Sequence, residues 1–330
     1  MKILVIGREE RTKKYTDPKR YAEHEFSFVP LGASAEEMLE KGCNADIIFA
    51  DAMAGLPAKV ISRMPNLKMI HSEGVGFNGI DVREAARRQV FVCNCGGINA
   101  SAVAEQALLL MLGLLRDVCN GDRQVREGKQ IEVKESYMRT GSLKELGECT
   151  IGLVGFGDIG KATAGLARGF GAKVIYFAAS RKPRELEEAY GVVYQELDRL
   201  LKVSDIVSLH LPVTPETQNL ANAEFFAKMK RGAYLINTSR GEIVDSKALL
   251  AAIRNGHLAG AGLDTIAGEP VTNDNIILQA EREVEERIIY SCHIGGITGA
   301  AFRRGYERMW SNTEKVAAGK MPDHVVNRWW

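Results

Sequence analysis

Three short segments late in the chain each join the end of an apolar run to a side chain that can do chemistry. They are Asn237-Thr238-Ser239-Arg240-Gly241, Gly262-Leu263-Asp264-Thr265-Ile266-Ala267-Gly268-Glu269-Pro270 and Cys292-His293-Ile294-Gly295-Gly296. An arginine at a strand end can clamp a carboxylate through two parallel, charge-assisted hydrogen bonds. A glutamate beside a histidine favours the charged imidazolium and orients it, which suits the histidine to give up a proton near neutral pH. Together Arg240, Glu269 and His293 describe the reduction of a 2-keto acid. Each has an ordinary alternative when taken singly: an ion-pair partner for Arg240, a helix cap for Asp264, a satisfied loop histidine for His293. In this order and together they favour the chemical reading.

A reduction needs an electron source, and the stretch from Thr150 to Lys161 offers a place for one. Thr150-Ile151-Gly152-Leu153-Val154 reads as a buried strand that runs into Gly155-Phe156-Gly157-Asp158-Ile159-Gly160 and then a helix-favouring segment. In a dinucleotide site the first glycine permits a sharp turn, the second lets backbone approach a pyrophosphate, and the third lets helix and strand pack closely, with the phosphate at the positive helix end. Gly155, Gly157 and Gly160 fill these places. The motif alone is weak, but a helix over Ala162–Phe170 and a second strand over Lys173–Phe177 supply its context. In an NAD-binding unit that second strand ends in an acidic residue for the ribose 2′-hydroxyl. Here Ala178 stands in that place and Ser180, Arg181 and Lys182 follow. A serine and two cations suit a 2′-phosphate, so NADP, used as NADPH, is expected ahead of NAD. The alternative is that Arg181 and Lys182 merely decorate a surface loop.

The elements that position these residues alternate strand and helix. Before the glycine motif come strands at Ile3–Ile6, Phe26–Val29, Ala45–Ala50 and Lys68–Ser72, with helices at Ala35–Lys41 and Pro57–Arg63. After Gly7 comes Arg8-Glu9-Glu10-Arg11, with no second or third glycine of the motif, so nothing there lets backbone close on a pyrophosphate. Ser101 to Leu112 reads as a helix apolar nearly all round, expected to be buried and to mark the crossing between domains. Arg123 to Gly147 is expected to be polar and irregular. Beyond Thr150 the alternation resumes, with strands at Val192–Tyr194, Ile206–Leu209, Ala233–Ile236 and Ala259–Leu263 and helices at Glu196–Val203, Ala223–Met229 and Ser246–Asn255. Repeated βα units imply an α/β fold with doubly wound parallel sheets. The charged run Gln279–Arg287 reads as a solvated helix, and Ala300–Gly319 as a helix returning to the first domain. The expected division is residues 1–98 plus 296–330 as a substrate domain and 99–295 as a dinucleotide-binding domain. The closing Asn327-Arg328-Trp329-Trp330 is expected to dock its aromatics on protein.

At 330 residues two domains are the prior, and 43 Lys and Arg against 42 Asp and Glu nearly cancel. That balance removes any field-level argument for nucleic acid or an anionic membrane, and leaves small molecules or copies of the chain itself as partners. Six scattered cysteines have neither zinc nor redox spacing, which fits reduced thiols in a cytoplasmic protein, and no metal is expected. No run reaches membrane-spanning length, and the amino terminus reads as a strand and not as a signal peptide. His24, His71, His257 and His324 carry no context beyond surface or turn.

With the glycine motif, the three catalytic segments resemble the D-isomer-specific 2-hydroxyacid dehydrogenases, a family that includes glyoxylate and hydroxypyruvate reductases. The resemblance covers most of the chain and takes in Glu73-Gly74-Val75-Gly76-Phe77-Asn78-Gly79-Ile80-Asp81, Val103-Ala104-Glu105 and His210-Leu211-Pro212. It implies a Rossmann cofactor domain inserted in a smaller flavodoxin-like substrate domain. Arg240 would bind the substrate carboxylate with help from the backbone N–H groups of Val75 and Gly76. His293 would protonate the keto oxygen as hydride arrives, and Glu269 would keep it charged and aligned. Asp264 would orient the nicotinamide carboxamide and Val103 would lie against the ring. His210, Leu211, Pro212, Thr217, Thr238, Ser239, His293 and Gly295 would line the cofactor, along with Gly155, Phe156, Gly157, Asp158 and Ile159. His210 itself is expected to be structural. A homodimer is implied, and the competing reading is an NAD(P)-sensing, corepressor-like dimer with little turnover.

Some features depart from the family pattern. The stretch from Glu269 to His293 is longer than expected, Cys292 replaces the proline that often precedes the histidine, and a tryptophan often seen near Gln130-Ile131-Glu132 is absent. Met53 and Phe77 suggest a modestly apolar substrate side chain, with core packing an equal alternative.

Overall fold

The apolar run at the amino terminus forms β1 (Lys2–Ile6), whose neighbours β2 (Glu25–Val29) and β3 (Ile47–Ala50) both run parallel to it. With β4 (Met69–Ser72) and β5 (Phe91–Cys93) they make a five-stranded sheet in the order β2-β1-β3-β4-β5. Chain direction across the sheet reverses between β1 and β3, which places a crevice outside their carboxyl ends. The strands read as continuous apolar runs because both faces are covered. Leu4, Ile6, Ile48, Ile70 and Val92 pack with Met38 and Leu39 on one face. Ile3, Val5, Ile47, Phe49 and Met69 meet Tyr306, Met309 and Trp310 on the other. Those last three belong to the long helix Gly299–Ala317, so the end of the chain completes the unit in which the chain began.

The computed structural model describes residues 1–328; Trp329 and Trp330 of the closing segment lie outside the described residues. Asn327 is buried, taking a hydrogen bond from the Val92 N–H at 2.7 Å and giving one to the Val90 carbonyl at 2.8 Å.

The second unit carries β6 (Thr150–Val154), β7 (Lys173–Phe177), β8 (Val193–Tyr194), β9 (Ile206–Leu209), β10 (Ala233–Asn237), β11 (Leu258–Leu263) and β12 (Ile288–Tyr290). They form a parallel seven-stranded sheet in the order β12-β11-β10-β9-β6-β7-β8, reversing direction between β9 and β6. This is the Rossmann arrangement with one added strand, and it is inserted in the chain of the first, flavodoxin-like unit. The two compact units comprise residues 1–99 with the segment from Ile297, and residues 100–296. The helix Ala100–Leu115 opens the second unit and buries residues on most of its faces, with Leu110 against Gly262 of β11 and Gly113 against Ile289 of β12.

Three expectations need correction. The stretch after Arg123 is not irregular, because helices occupy Val118–Arg126 and Gln130–Thr140. Val118, Val125, Ile131 and Met138 are exposed and neither helix has a fully buried residue, so the buried stripe that marks a helix in sequence is missing. Local polar bonds hold the pair instead: Arg126 with Asp122 one turn back, and the Tyr137 hydroxyl to Asp117 at 2.6 Å. The charged run at 279–287 yields only the short helix Arg282–Glu285, anchored by buried Val284. His71 lies neither at the surface nor in a turn: it sits in β4, fully buried, its Nδ1 on the Ser72 carbonyl at 2.8 Å and its Nε2 taking a bond from Asn312 Nδ2 at 3.0 Å.

Candidate active site

β6 ends at Val154, and the chain turns at once through Gly155, whose φ of +104° lies in the region that favours glycine. A side chain at Gly155 would strike the His210 carbonyl at the end of β9, and one at Gly160 would come to 2.5 Å from the Gly155 carbonyl oxygen. Both glycines are therefore required by protein packing. At Gly157 nothing stands within 4 Å of a built Cβ. Gly157 is also the N-cap of the helix Asp158–Gly169, with no side chain capping that helix, so its first N–H groups face open space. The Phe156 ring stacks on Tyr176 at 4.4 Å inside the core, which leaves only its backbone at the turn. Asp158 pairs with Lys161 at 2.8 Å, and Ile159 lies in the first turn.

At the end of β7 no carboxylate projects. Ser180 and Arg181 are exposed, and the Arg181 guanidinium forms a two-pronged pair with Glu187 at 2.8 and 2.9 Å. The Tyr176 hydroxyl gives its proton to the same Glu187 at 2.8 Å and takes the Lys182 N–H at 2.8 Å, so the whole loop is fixed. Arg181 holds the Glu187 carboxyl below its ordinary range.

The ends of β9, β10 and β11 are tied side by side. Ser239 Oγ bonds the Leu209 carbonyl at 2.5 Å and takes the Leu211 N–H at 3.4 Å. Thr217 folds the next turn by bonding the Pro212 carbonyl at 2.6 Å. Three buried polar atoms at these ends, His210 Nδ1, Thr238 Oγ1 and Thr265 Oγ1, have no hydrogen-bond partner among the described residues. Buried polar atoms without partners are costly, and a run of them along one sheet edge fits a polar ligand. Together with the open helix end at Gly157, these atoms suit a dinucleotide lying across the carboxyl edge of the sheet. Burial pushes the His210 imidazole down to about 4, so it is neutral and serves the structure.

Arg240 follows Asn237 at the end of β10, where the Asn237 side chain donates to the Arg240 carbonyl at 2.9 Å. The next residue has to be glycine: a Cβ at Gly241 would overlap the backbone of Ile266 and Ala267. That close approach seats the Arg240 turn on the loop that carries Glu269. Glu269 Oε1 accepts the Ile266 N–H at 2.9 Å, and Oε2 faces His293 Nδ1 at 2.6 Å. His293 has a φ of +54°, uncommon for a residue with a side chain. Asp264, buried after β11, holds it there by accepting the N–H of Ile294 at 3.0 Å and of Gly295 at 2.9 Å. Ser291 adds a bond to Asp264 at 2.6 Å and takes one from Gln106 at 3.0 Å.

Sequence reasoning missed Gln106 and Ser291, and read Asp264 as facing the nicotinamide or as a helix cap, not as the clamp of the Ile294 and Gly295 N–H groups. No local signal marks Gln106, since its contact with Ser291 spans 185 positions. Val103 is buried in the first turns of the same helix.

In the first unit, β4 ends at Ser72 and the chain enters the Glu73–Gly79 loop, whose carbonyls are bound from beneath. Cys95 N–H reaches the Gly74 oxygen at 2.8 Å, Asn94 Nδ2 the Val75 oxygen at 2.8 Å, and Ser72 Oγ the Gly76 oxygen at 2.6 Å. Among the described residues the Val75 and Gly76 N–H groups donate to none, so the loop presents two free donors, as an anion-binding turn does. Met53 is exposed at the end of β3, while Phe77 packs against the core of the unit.

Residues 108–295 match the family described as D-isomer specific 2-hydroxyacid dehydrogenase, NAD binding domain. The chain is 37% identical over 314 residues to the glyoxylate reductase of Thermococcus litoralis, covering 94% of this chain and 92% of that one. It is 36% identical over 295 residues to the glyoxylate reductase of Thermofilum pendens, covering 89% and 85%. Its fold is similar to that of the D-mandelate dehydrogenase of Rhodotorula graminis, with a TM-score of 0.83, 25% identity and coverage of 100% and 98%. With its two parallel-sheet units, the glycine turn at β6, and Glu269 after β11 paired with His293 after β12, the chain so matched in sequence belongs to the D-isomer specific 2-hydroxyacid dehydrogenase family.

Proposed function

We propose that this protein reduces a small 2-keto acid to the D-2-hydroxy acid with NADPH, His293 acting as general acid and base. The observation that carries this reading is the His293–Glu269 pair at 2.6 Å, seated on a loop that Asp264 clamps from both following N–H groups. A bound nicotinamide cofactor supplies hydride. Gly155, Phe156, Gly157, Asp158 and Ile159 would hold its pyrophosphate through backbone, and Ser180, Arg181 and Lys182 its 2′-phosphate. Val103, His210, Leu211, Pro212, Thr217, Thr238, Ser239, Asp264, His293 and Gly295 would line the rest.

Arg240 would clamp the substrate carboxylate, with the free N–H groups of Val75 and Gly76 as further donors. With Nδ1 bound to Glu269, His293 delivers its proton to the keto oxygen from Nε2. The substrate task of residues 1–98 with 296–330, and the cofactor task of 99–295, belong to the same proposal. Exposed Leu109, Val118, Val125, Ile131 and Met138 on the helices after Ala100 support a homodimer through that surface. The cysteines are unpaired among the described residues and none of the described helices is long and apolar enough to cross a membrane, which is compatible with the cytoplasm.

The test is loss of NADPH absorbance with a panel of 2-keto acids that includes glyoxylate and hydroxypyruvate. Turnover that disappears in His293→Ala while NADPH still binds supports the reading. Full activity in that variant overturns it, and absence of turnover with every acid at millimolar concentration turns the reading toward a nucleotide sensor.

A further inference from the structure

A largely buried ionic cluster is built on Glu73, at the start of the loop that carries Val75 and Gly76, and the chemistry above makes no use of it. Arg11, in the helix Glu9–Tyr15 that follows β1, places Nη2 at 2.5 Å from Asp51 Oδ2 and at 2.5 Å from Glu73 Oε2. Glu73 takes the Tyr306 hydroxyl on its other oxygen at 2.8 Å, and Tyr306 in turn meets Thr12 Oγ1 at 3.2 Å. The Glu73 side chain is only 4% exposed. Asp51 turns its remaining oxygen to the Met53 N–H at 3.0 Å. The cluster therefore joins the carboxyl ends of β1, β3 and β4 and the helix Gly299–Ala317, at the crevice where chain direction in the sheet reverses.

Taking the Glu73 charge and most of Arg11 and Asp51 out of water is expensive, and such pairs add little or nothing to stability relative to apolar replacements. A fold that needed only packing here would be served as well by apolar side chains. What the ions supply is direction. Glu73 is the residue before Gly74, so a carboxylate hydrogen-bonded by Tyr306 and ion-paired with Arg11, on two different helices, sets where the loop leaves β4. The Val75 and Gly76 carbonyls are bound by Asn94 and Ser72. With its entry fixed by Glu73 and its carbonyls fixed by these bonds, the loop has little freedom left, and its two N–H groups are aimed. Burial pushes the Glu73 carboxyl up, with Arg11 opposing; burial also works against the Arg11 charge, which Glu73 and Asp51 outweigh.

We infer that Arg11 and Glu73, steadied by Asp51 and Tyr306, are positioning residues that aim the Val75 and Gly76 N–H groups at the substrate carboxylate, and so set affinity for the acid. This rests on the proposed reading of those two N–H groups. The variants to make are Arg11→Met, Glu73→Leu and the double Arg11→Met/Glu73→Leu. Each single change leaves a largely buried charge with fewer partners and lowers the melting temperature, whereas the double change removes the pair together, leaves Asp51 on the Met53 N–H and Tyr306 on Thr12, and costs less than the sum of the two. Positioning predicts that the double variant, at a temperature where it is fully folded, keeps a KM for the keto acid raised roughly tenfold, the equivalent of one well-aimed charge-assisted hydrogen bond. Its kcat falls less than its KM rises, because carboxylate binding is shared by ground and transition states. NADPH affinity stays at the wild-type value.

Oxalate, a small carboxylate titrated calorimetrically onto each protein with NADPH bound, gives the same comparison without turnover. Weakening of oxalate by roughly tenfold in the double variant supports the inference. A folded double variant with wild-type KM and oxalate affinity overturns it. A wild-type protein that binds oxalate but reduces no keto acid fails the catalytic reading alone, and a protein in which no form binds oxalate fails both.

Discussion

His293 Nδ1 meets Glu269 Oε2 at 2.6 Å, while the second Glu269 oxygen is taken by the Ile266 N–H, so the carboxylate is fixed before it touches the ring. That leaves Nε2, which has no protein partner among the described residues, as the nitrogen that faces substrate. Replacing His293 with alanine should lower kcat by about 10²- to 10⁴-fold, the usual worth of a general acid. Glu269→Gln should cost less, on the order of tenfold to a hundredfold, because the ring keeps a hydrogen-bond partner but loses the charge beside it. Single-turnover rates with saturating cofactor would measure both. Equal losses in the two variants would mean that Glu269 does more than orient.

Arg240 is carried on a turn whose carbonyl is pinned by Asn237 and whose next residue packs into the Glu269 loop. Lysine at that position keeps the charge but loses the planar fork. For Arg240→Lys the expected outcome is a fall in kcat/KM for 2-keto acids of about a hundredfold, with NADPH binding unaltered. Steady-state kinetics beside a fluorescence titration of the cofactor would separate the two, and a variant within threefold of wild type would remove the arginine from the chemistry.

The loop after β7 bears on the choice of nucleotide. Arg181 is not a free cation, because Glu187 already holds it in two bonds. It is pre-oriented, and a 2′-phosphate would have to share it. Arg181→Ala should weaken NADPH by roughly tenfold and NADH hardly at all. Ala178→Asp should reverse the preference by giving the ribose hydroxyls an acceptor and the phosphate a repelling charge. Dissociation constants for both nucleotides would decide it; equal affinities in wild type and Arg181→Ala would exclude a 2′-phosphate contact.

Acid should soften both units. Burial lowers His71 and His210 to about 4 from the ordinary 6.5. Between those values the unfolded chain binds protons that the folded chain refuses, so stability rises with pH there, is complete above about 6.5, and is lost as pH falls toward 4. Across that interval each histidine contributes on the order of 3 kcal/mol of stability. Urea unfolding from pH 4.5 to 7.5 would show it, and His71→Gln should flatten the dependence in the first unit by about one proton. An unchanged slope would mean that His71 titrates as it does in water.

Much of the scaffold was legible because parallel strands buried on both faces leave unbroken apolar runs, as in Ile47–Ala50 and Ile206–Leu209. The glycine turn was readable for the same kind of reason, since Gly155 and Gly160 answer to backbone contacts that any side chain would prevent. The helices at Val118–Arg126 and Gln130–Thr140 were not legible, because most of their apolar residues are exposed and neither helix buries a residue fully. The supports of the site were hidden in another way. Gln106 reaches Ser291, and Arg11 reaches Glu73, across separations at which residue spacing carries no information.

The placement of the helix Gly299–Ala317 has a consequence for how the chain is made. A ribosome delivers the strands around Phe49 and Met69 long before Trp310 exists to shield them, whereas the inserted middle is whole once residue 296 has emerged. The part synthesised first is thus the last that can finish folding, and its sheet waits with one side bare, a period in which chaperones or a second nascent chain would find an apolar surface to hold.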